Sequence, residues 1–171
     1  MEIFLSYCQK DGSQADKIDK HFKGTEITIK RDIRDIGKWE SIQSFMETVR
    51  DTDFVIMIIT ENYLKSVACM TEVLEAMKEK KYQNRIFPVV VDTKIYDPLW
   101  QTDIIKYWEN EYAELESKIG TIQPANVGDL YHTLKQYQEI KSSVSEFMGM
   151  IADRNNPACE EAAKAIDDFL N

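Results

Sequence analysis

The chain predicts an α/β protein in which a mostly parallel sheet of five strands carries helices on both faces. Three observations lead there. Phe54 to Ile59 is an unbroken apolar run, too short to cross a membrane. It reads as a strand covered on both faces, hence a central strand of a parallel sheet. Ile86 to Val91, IFPVVV, is a second buried run. Amphipathic stretches at helical spacing separate these runs, the alternation that βαβ units require.

Taken in order, Glu2 to Tyr7 is the first strand, and it leads into the loop CQKDGSQ. A Gly, a Ser and two charges make that loop exposed and adaptable. Ser13 to Phe22 reads as a helix with Ala15, Ile18 and Phe22 on one face and Gly24 as its stop. Glu26 to Lys30 is a short strand near an edge. Arg31 to Lys38 is a charged loop containing Gly37, where an isolated glycine suggests a positive φ or a close backbone approach. Ile42, Phe45, Met46 and Val49 recur at i, i+3, i+4 and i+7 and mark the next amphipathic helix.

Thr60, Glu61 and Asn62 end the central strand. Ser66 then stands where a helix N-cap is expected, because its hydroxyl can accept from an amide of the first turn. On that helix Cys69, Val73, Ala76 and Met77 face inward, and Lys78 to Lys81 are solvated charge. Asp92 to Pro98 is a loop. Trp100 to Lys118 follows as a long helix whose stripe of Ile104, Trp108, Tyr112 and Leu115 reads as core. Gly120 to Gly128 is rich in turn residues and has room for a short fifth strand around Ile122. The pattern is helical again from Asp129 to Ile151, breaks at Asn155 to Pro157, and ends in a helix from Ala158 to Leu170. The expected organisation is one domain over residues 1–152. Residues 153–171 then form a C-terminal helical extension or the start of a linker to another domain.

Composition narrows the function classes. A chain of 171 residues can bury a proper core, and its 43% apolar and 30% charged fractions describe a soluble globular protein. The formal net charge of −9, from 30 acids against 21 bases, argues against general nucleic-acid binding, which needs a basic face. A small anionic ligand is still compatible, since a local cluster of bases and backbone amides can bind phosphate. Cys8, Cys69 and Cys159 are few, odd in number and widely spaced, so no metal or disulfide framework is expected and a reducing compartment fits best. Strand-like sequence begins at Glu2 without the features of a signal peptide, and no apolar run nears the roughly 20 residues of a membrane span. A cytoplasmic protein is expected.

The functional stretch is Asp53 to Glu75. Ser66-x-x-Cys69-x-x-Glu72 follows the central strand and a turn that contains Tyr63. Glu72 therefore lies one to two turns into a helix near the carboxyl edge of that strand, where open α/β sheets bind ligands. This stretch resembles the signature around the catalytic glutamate of TIR (Toll/interleukin-1 receptor) domains. Two further segments agree in order: Ile3 to Tyr7, IFLSY, with Gly12 close behind, and Arg31 to Trp39, RDIRDIGKW. The resemblance is clear over about the first 90 residues and looser beyond. It implies the flavodoxin-like TIR fold with sheet order 2-1-3-4-5.

The resemblance also implies an activity: cleavage of the nicotinamide–ribose bond of NAD, as in bacterial TIR enzymes of the immune-effector type. Glu72 would be the catalytic carboxylate. Ser6, Tyr7 and Gln9, in the segment after the first strand, would contact the dinucleotide, and Arg34, Gly37 and Trp39 would border the site. Some members carry arginines at the positions of Cys8 and Gln9; here Lys10 is the nearby base. Many catalytic members carry Trp four residues before the glutamate, where this chain has Ala68. NAD would be the substrate, with no further cofactor and no metal. Self-association through the Arg31–Trp39 loop, and a fused or separate effector domain, are the expected partnerships. A non-catalytic TIR module that assembles by homotypic contacts is the alternative.

Other enzyme classes fit less well. No Gly-x-Gly-x-x-Gly follows the first strand, as a Rossmann dehydrogenase requires. A receiver domain needs a phosphoacceptor Asp at the end of the third strand, where Thr60 stands. His21 and His132 are the only histidines, and there is no nucleophile elbow for a Ser–His–Asp hydrolase.

Overall fold

A computed structural model describes residues 1–31, 41 and 48–171. The described elements run β1 (Glu2–Ser6), α1 (Gly12–Phe22), β2 (Thr28–Lys30), β3 (Phe54–Ile59), a short α2 (Glu61–Leu64), α3 (Val67–Met77), β4 (Ile86–Val90), α4 (Pro98–Ile119), α5 (Leu130–Ala152) and α6 (Ala162–Leu170). Of the helix expected from Ile42, Phe45, Met46 and Val49, only Val49 is among the described residues, buried in a 3-10 turn over Thr48–Asp51; Arg34, Gly37 and Trp39 also lie outside the described residues. The chain forms two compact units, one of residues 1–92 with 154–171 and one of residues 93–153.

The first unit holds the sheet. Its order is β2-β1-β3-β4, and every pairing is parallel. β3 is central, as its apolar run requires, and Val55 to Ile59 are all buried. Ser6 pairs with Met57 across β1 and β3, and Ile58 with Val89 across β3 and β4. Parallel crossovers are right-handed. The chain moves one way from β1 to β2 and the other way from β3 to β4, so the two crossovers place α1 and α3 on opposite faces.

The α1 face is apolar. Ile3 and Leu5 of β1, Ile29 of β2, Ile56 and Ile58 of β3 and Val89 of β4 pack there with Ala15, Ile18 and Phe22 of α1 and Ala162 and Ile166 of α6. Strand side chains alternate between faces, so Phe4 and Ser6 project to the α3 face. The His21 ring lies 3.7 Å from the Asp167 carboxylate, which joins α1 to α6. Before β3, the Arg85 guanidinium donates to the carbonyls of Arg50 at 3.0 Å, Asp53 at 3.3 Å and Thr52, closing the turn that feeds the central strand.

The sheet has four strands among the described residues, where the sequence suggested five. Thr121 and Ile122 form a turn and Pro124–Asn126 a single 3-10 turn, and Ile122 is 38% exposed. Gly120, Pro124 and Gly128, the last at φ +53°, leave no run between them long enough to extend. Pro88 adds a reason from the other side. Val91 N donates to Ile59 O, so by alternation residue 88 faces away from β3, and its missing N–H falls on the outer edge of β4.

In the second unit α4 and α5 pack on one another. α4 begins at Pro98, two residues before the expected start. Asp97 Oδ1 accepts from Leu99 N at 2.9 Å, and proline at the first helical position costs no hydrogen bond. Trp108 is fully buried and meets Tyr107 and Tyr137 edge-on at 5.3 and 5.8 Å between ring centres. The stripe expected to be core is therefore core at Ile104 and Trp108, with Tyr112 and Leu115 partly buried. Among the described residues no helix is long and apolar enough to cross a membrane.

The Ser66 hydroxyl accepts from Cys69 N at 3.3 Å and caps α3 as the sequence predicts. Ser66→Ala should cost about 1 kcal/mol in urea unfolding, with Ser66→Asp close to wild type. Equal stability of all three proteins would show that the cap contributes nothing.

Candidate active site

α3 carries Glu72 against the sheet. Cys69, Met70, Val73 and Ala76 form its buried side, and Glu72 lies among them at only 2% exposure. A carboxylate there needs donors, because burying a charge without hydrogen bonds is costly. Ser6, the last residue of β1 and itself 1% exposed, supplies one: its Oγ donates to Glu72 Oε2. Ser6 Oγ also lies 2.7 Å from the hydroxyl of Tyr63, which is fully buried. With Glu72 ionised, the direction of both bonds is fixed. Serine has one proton and the carboxylate can only accept, so Ser6 donates to Glu72 and Tyr63 donates to Ser6.

Tyr63 is held by the turn that follows β3. Thr60 caps α2, its Oγ1 accepting from Tyr63 N at 3.0 Å. The same hydroxyl donates to Asp11 Oδ2 at 2.6 Å, and Asn62 Nδ2 reaches Asp11 Oδ1 at 3.4 Å. Asp11 belongs to the short turn Gln9–Asp11 after β1, so the loops leaving β1 and β3 are tied together. These are the two strands at which the chain reverses direction across the sheet. The carboxyl end of such a pair is where open α/β sheets place their ligands.

Burial pushes the Tyr63 hydroxyl well above the ordinary tyrosine value, and nearby Cys69 and Glu72 add to the rise. Tyr63 is thus a neutral donor throughout the physiological range.

The sequence-predicted site residues do not all converge. Glu72 and Ser6 meet. Tyr7 is buried at 4% exposure but packs in the cluster on the α1 face, opposite to Ser6. Its hydroxyl accepts from Arg31 Nη2 at 3.0 Å, and the guanidinium carbon lies 4.8 Å from its ring centre. Arg31 Nη1 also reaches Asp16 at 2.8 Å and Asp19 at 3.5 Å. Partial burial works against the Arg31 charge, but hydrogen bonds to Asp16 and Tyr7 outweigh it and hold the pKa above its ordinary value. Gln9 is exposed in the turn that follows β1. Ala68, one turn before Glu72 on α3, is exposed as well. Among the described residues no cluster of His, Cys, Asp and Glu is placed to hold a metal ion.

Sequence reading missed the parts played by Tyr63, Thr60 and Asp11. Tyr63 was visible only as a residue of the turn. Its partner Ser6 is 57 positions away, and no local pattern links them.

The Tyr63 shift has a consequence for stability. Its folded pKa is raised above the unfolded value of about 10, so the hydroxyl's contribution is full below that pH and is lost as pH rises past it. Unfolding free energy measured against pH should therefore fall more steeply above pH about 10 in wild type than in Tyr63→Phe. Parallel curves would contradict the buried neutral phenol.

A family model described as the TIR domain matches residues 3–119. No curated protein sequence matches the chain. Among solved structures, the TIR domains of the activated Roq1 resistosome directly recognizing the pathogen effector XopQ are similar, with a TM-score of 0.60 and 17% sequence identity, covering 99% of this chain and 99% of that one. At that identity the likeness is one of fold.

Proposed function

The chain belongs to the TIR domain family, and from that premise we propose that it cleaves the nicotinamide–ribose bond of NAD, with Glu72 as the catalytic carboxylate. The observation that carries this reading is a buried carboxylate, oriented by Ser6, beside the carboxyl ends of β1 and β3. Nicotinamide is already cationic in the substrate, so its departure needs no general acid. Charge develops on the ribose as an oxocarbenium-like centre. One carboxylate that binds the ribose hydroxyls and faces that centre suffices, where most glycosidases need two. Fixed negative charge in a water-poor site stabilises such a centre by several kcal/mol. Water as acceptor gives ADP-ribose; attack by the adenine end or a hydroxyl of the same molecule gives a cyclic isomer. NAD is the substrate and not a resident cofactor.

Glu72 at 2% exposure is out of reach of a ribose until neighbouring atoms yield. That supports a site completed by self-association, with the Arg31–Trp39 segment as the contact, Gln9 on the dinucleotide, and Arg34, Gly37 and Trp39 at the site's border. The similar solved structure, TIR domains of an activated resistosome, supports an assembling chain in immune signalling. The setting read for it is reducing and cytoplasmic, in keeping with three widely spaced cysteines, and its role is in bacterial defence. Residues 1–152 are read as the catalytic domain and 153–171 as its extension.

Ala68 favours a second reading, a TIR scaffold without turnover. An exposed alanine stands where many catalytic members place a tryptophan one turn before the glutamate. The two readings part on one experiment, NAD loss with product masses over a range of protein concentrations, with a crowding agent. Wild type should release nicotinamide more than in proportion to concentration, since the competent state is populated by assembly. Glu72→Ala and Glu72→Gln should lower turnover on the order of a hundredfold or more without loss of assembly. Intact NAD in an assembled wild type would leave the scaffold.

A further inference from the structure

We propose that Ser6 and Tyr63 are positioning residues for the Glu72 carboxylate, a relay in which the Tyr63 hydroxyl commits the single Ser6 proton to Glu72 Oε2. The proposal rests on the reading of Glu72 as the group that faces the ribose.

Three polar side chains meet in a mostly apolar interior. Ser6 is 1%, Tyr63 0% and Glu72 2% exposed. Alanine and phenylalanine would fill the first two positions without polar groups to satisfy, and burying unneeded hydroxyls costs free energy. The hydroxyls make sense as a donor chain. Left to itself, a serine hydroxyl rotates about its C–O bond and its proton can go to any acceptor in reach. A donor fixed on one of its lone pairs removes that freedom and leaves the carboxylate as the proton's target. Tyr63 is such a donor. Its backbone is held by the Thr60 cap, which Asp11 holds in turn, and burial keeps its phenol protonated.

The three residues come from three elements: β1, the turn after β3, and α3. Pinning one carboxylate oxygen from the sheet sets the rotation of the carboxylate plane with respect to the switch point between β1 and β3. A carboxylate has about four lone-pair sites, so a hydrogen bond from Ser6 is compatible with ribose hydroxyls on the others. Tyr63 is fully buried with its hydroxyl on Ser6, so it acts through Ser6 and does not touch the substrate. Ser6 passes from the dinucleotide contact implied by the family resemblance to a support for the carboxylate.

The test is a double-mutant cycle on the full chain, with NAD turnover measured under assembling conditions for wild type, Ser6→Ala, Tyr63→Phe and the double variant. Tyr63→Phe should lower kcat about tenfold with KM nearly unchanged, as misplacement of a reacting group does. Ser6→Ala should cost at least as much, and the double variant no more than Ser6→Ala, because Tyr63 has nothing to act on once Ser6 is gone. Multiplying losses, or a Tyr63→Phe protein that melts earlier at unchanged kcat, would overturn the relay.

Crystal structures of wild type and Tyr63→Phe give a readout independent of turnover. Glu72 should keep its Ser6 contact in wild type and leave that rotamer in the variant; an unmoved Glu72 overturns the proposal. If wild type leaves NAD intact while Glu72 moves as expected, the enzymatic reading fails and the positioning relay stands. If Tyr63→Phe does not fold, Ser6→Ala, which removes one oxygen, supplies the same test of the Glu72 rotamer.

Discussion

Much of the first unit is arranged around one hydrogen bond, from Ser6 of β1 to the buried carboxylate of Glu72 on α3. A carboxylate at 2% exposure is tolerated only where donors meet it, and this donor is 66 residues away in sequence. Several features must then hold at once. β1 must pair with β3 so that Ser6 lies opposite Met57. A shift of one residue would turn Ser6 to the α1 face and leave Glu72 without it. α3 must begin at a fixed residue, which the Ser66 cap secures. The turn between β3 and α3 must present Tyr63 inward, which Thr60 and Asp11 secure.

The two faces of the sheet divide the physical tasks. On the α1 face, isoleucines from three strands close against α1 and α6 with no polar group inside the strands' own contribution. Burial of such side chains contributes about 1.5–3 kcal/mol each. The α3 face contains Ser6, Tyr63 and Glu72 and gains less from hydrophobic burial at that spot. The polar relay is affordable because the opposite face is not asked to hold one. Tyr7 illustrates the division. One residue beyond Ser6, its ring belongs to the apolar side, and its hydroxyl serves the Arg31–Asp16–Asp19 group at that side's rim.

The parts of this architecture written locally were legible in the sequence. Phe54–Ile59 reads as a central strand because burial on both faces leaves no alternation, and Ser66 reads as a cap because donor and acceptor lie three residues apart. The first fault came at Ile122, where an apolar residue between turn formers suggested a strand. Gly120, Pro124 and Gly128 permit only turns there, and the outward face of Pro88 offers no donor for a further pairing. Glu72 was legible in the sequence as a candidate, and the contacts that surround it were not. Glu72 stands out through its position after the central strand. The contacts of Tyr63 with Ser6 and of Thr60 with Asp11 join positions 57 and 49 apart, which only the folded register brings together. The side to which Tyr7 points is likewise a matter of strand parity, which a resemblance of motifs does not convey.

On the proposed reading, burial of Glu72 serves catalysis and opposes it. Two charges attract several times more strongly in a protein interior than in water, so a carboxylate withdrawn from solvent is the stronger partner for a cationic ribose. The same withdrawal bars the substrate. A rigid site cannot satisfy both demands, but a site with two states can. In the closed state Glu72 accepts from Ser6. In the open state the carboxylate keeps that bond and gains the ribose hydroxyls. The relay through Tyr63 bears on this directly. A carboxylate pinned to the sheet at one oxygen does not swing away when the atoms covering it move, so opening exposes a group already aimed. Assembly then has only to supply the free energy that separates the two states, and the chemistry needs no further rearrangement of the acid itself.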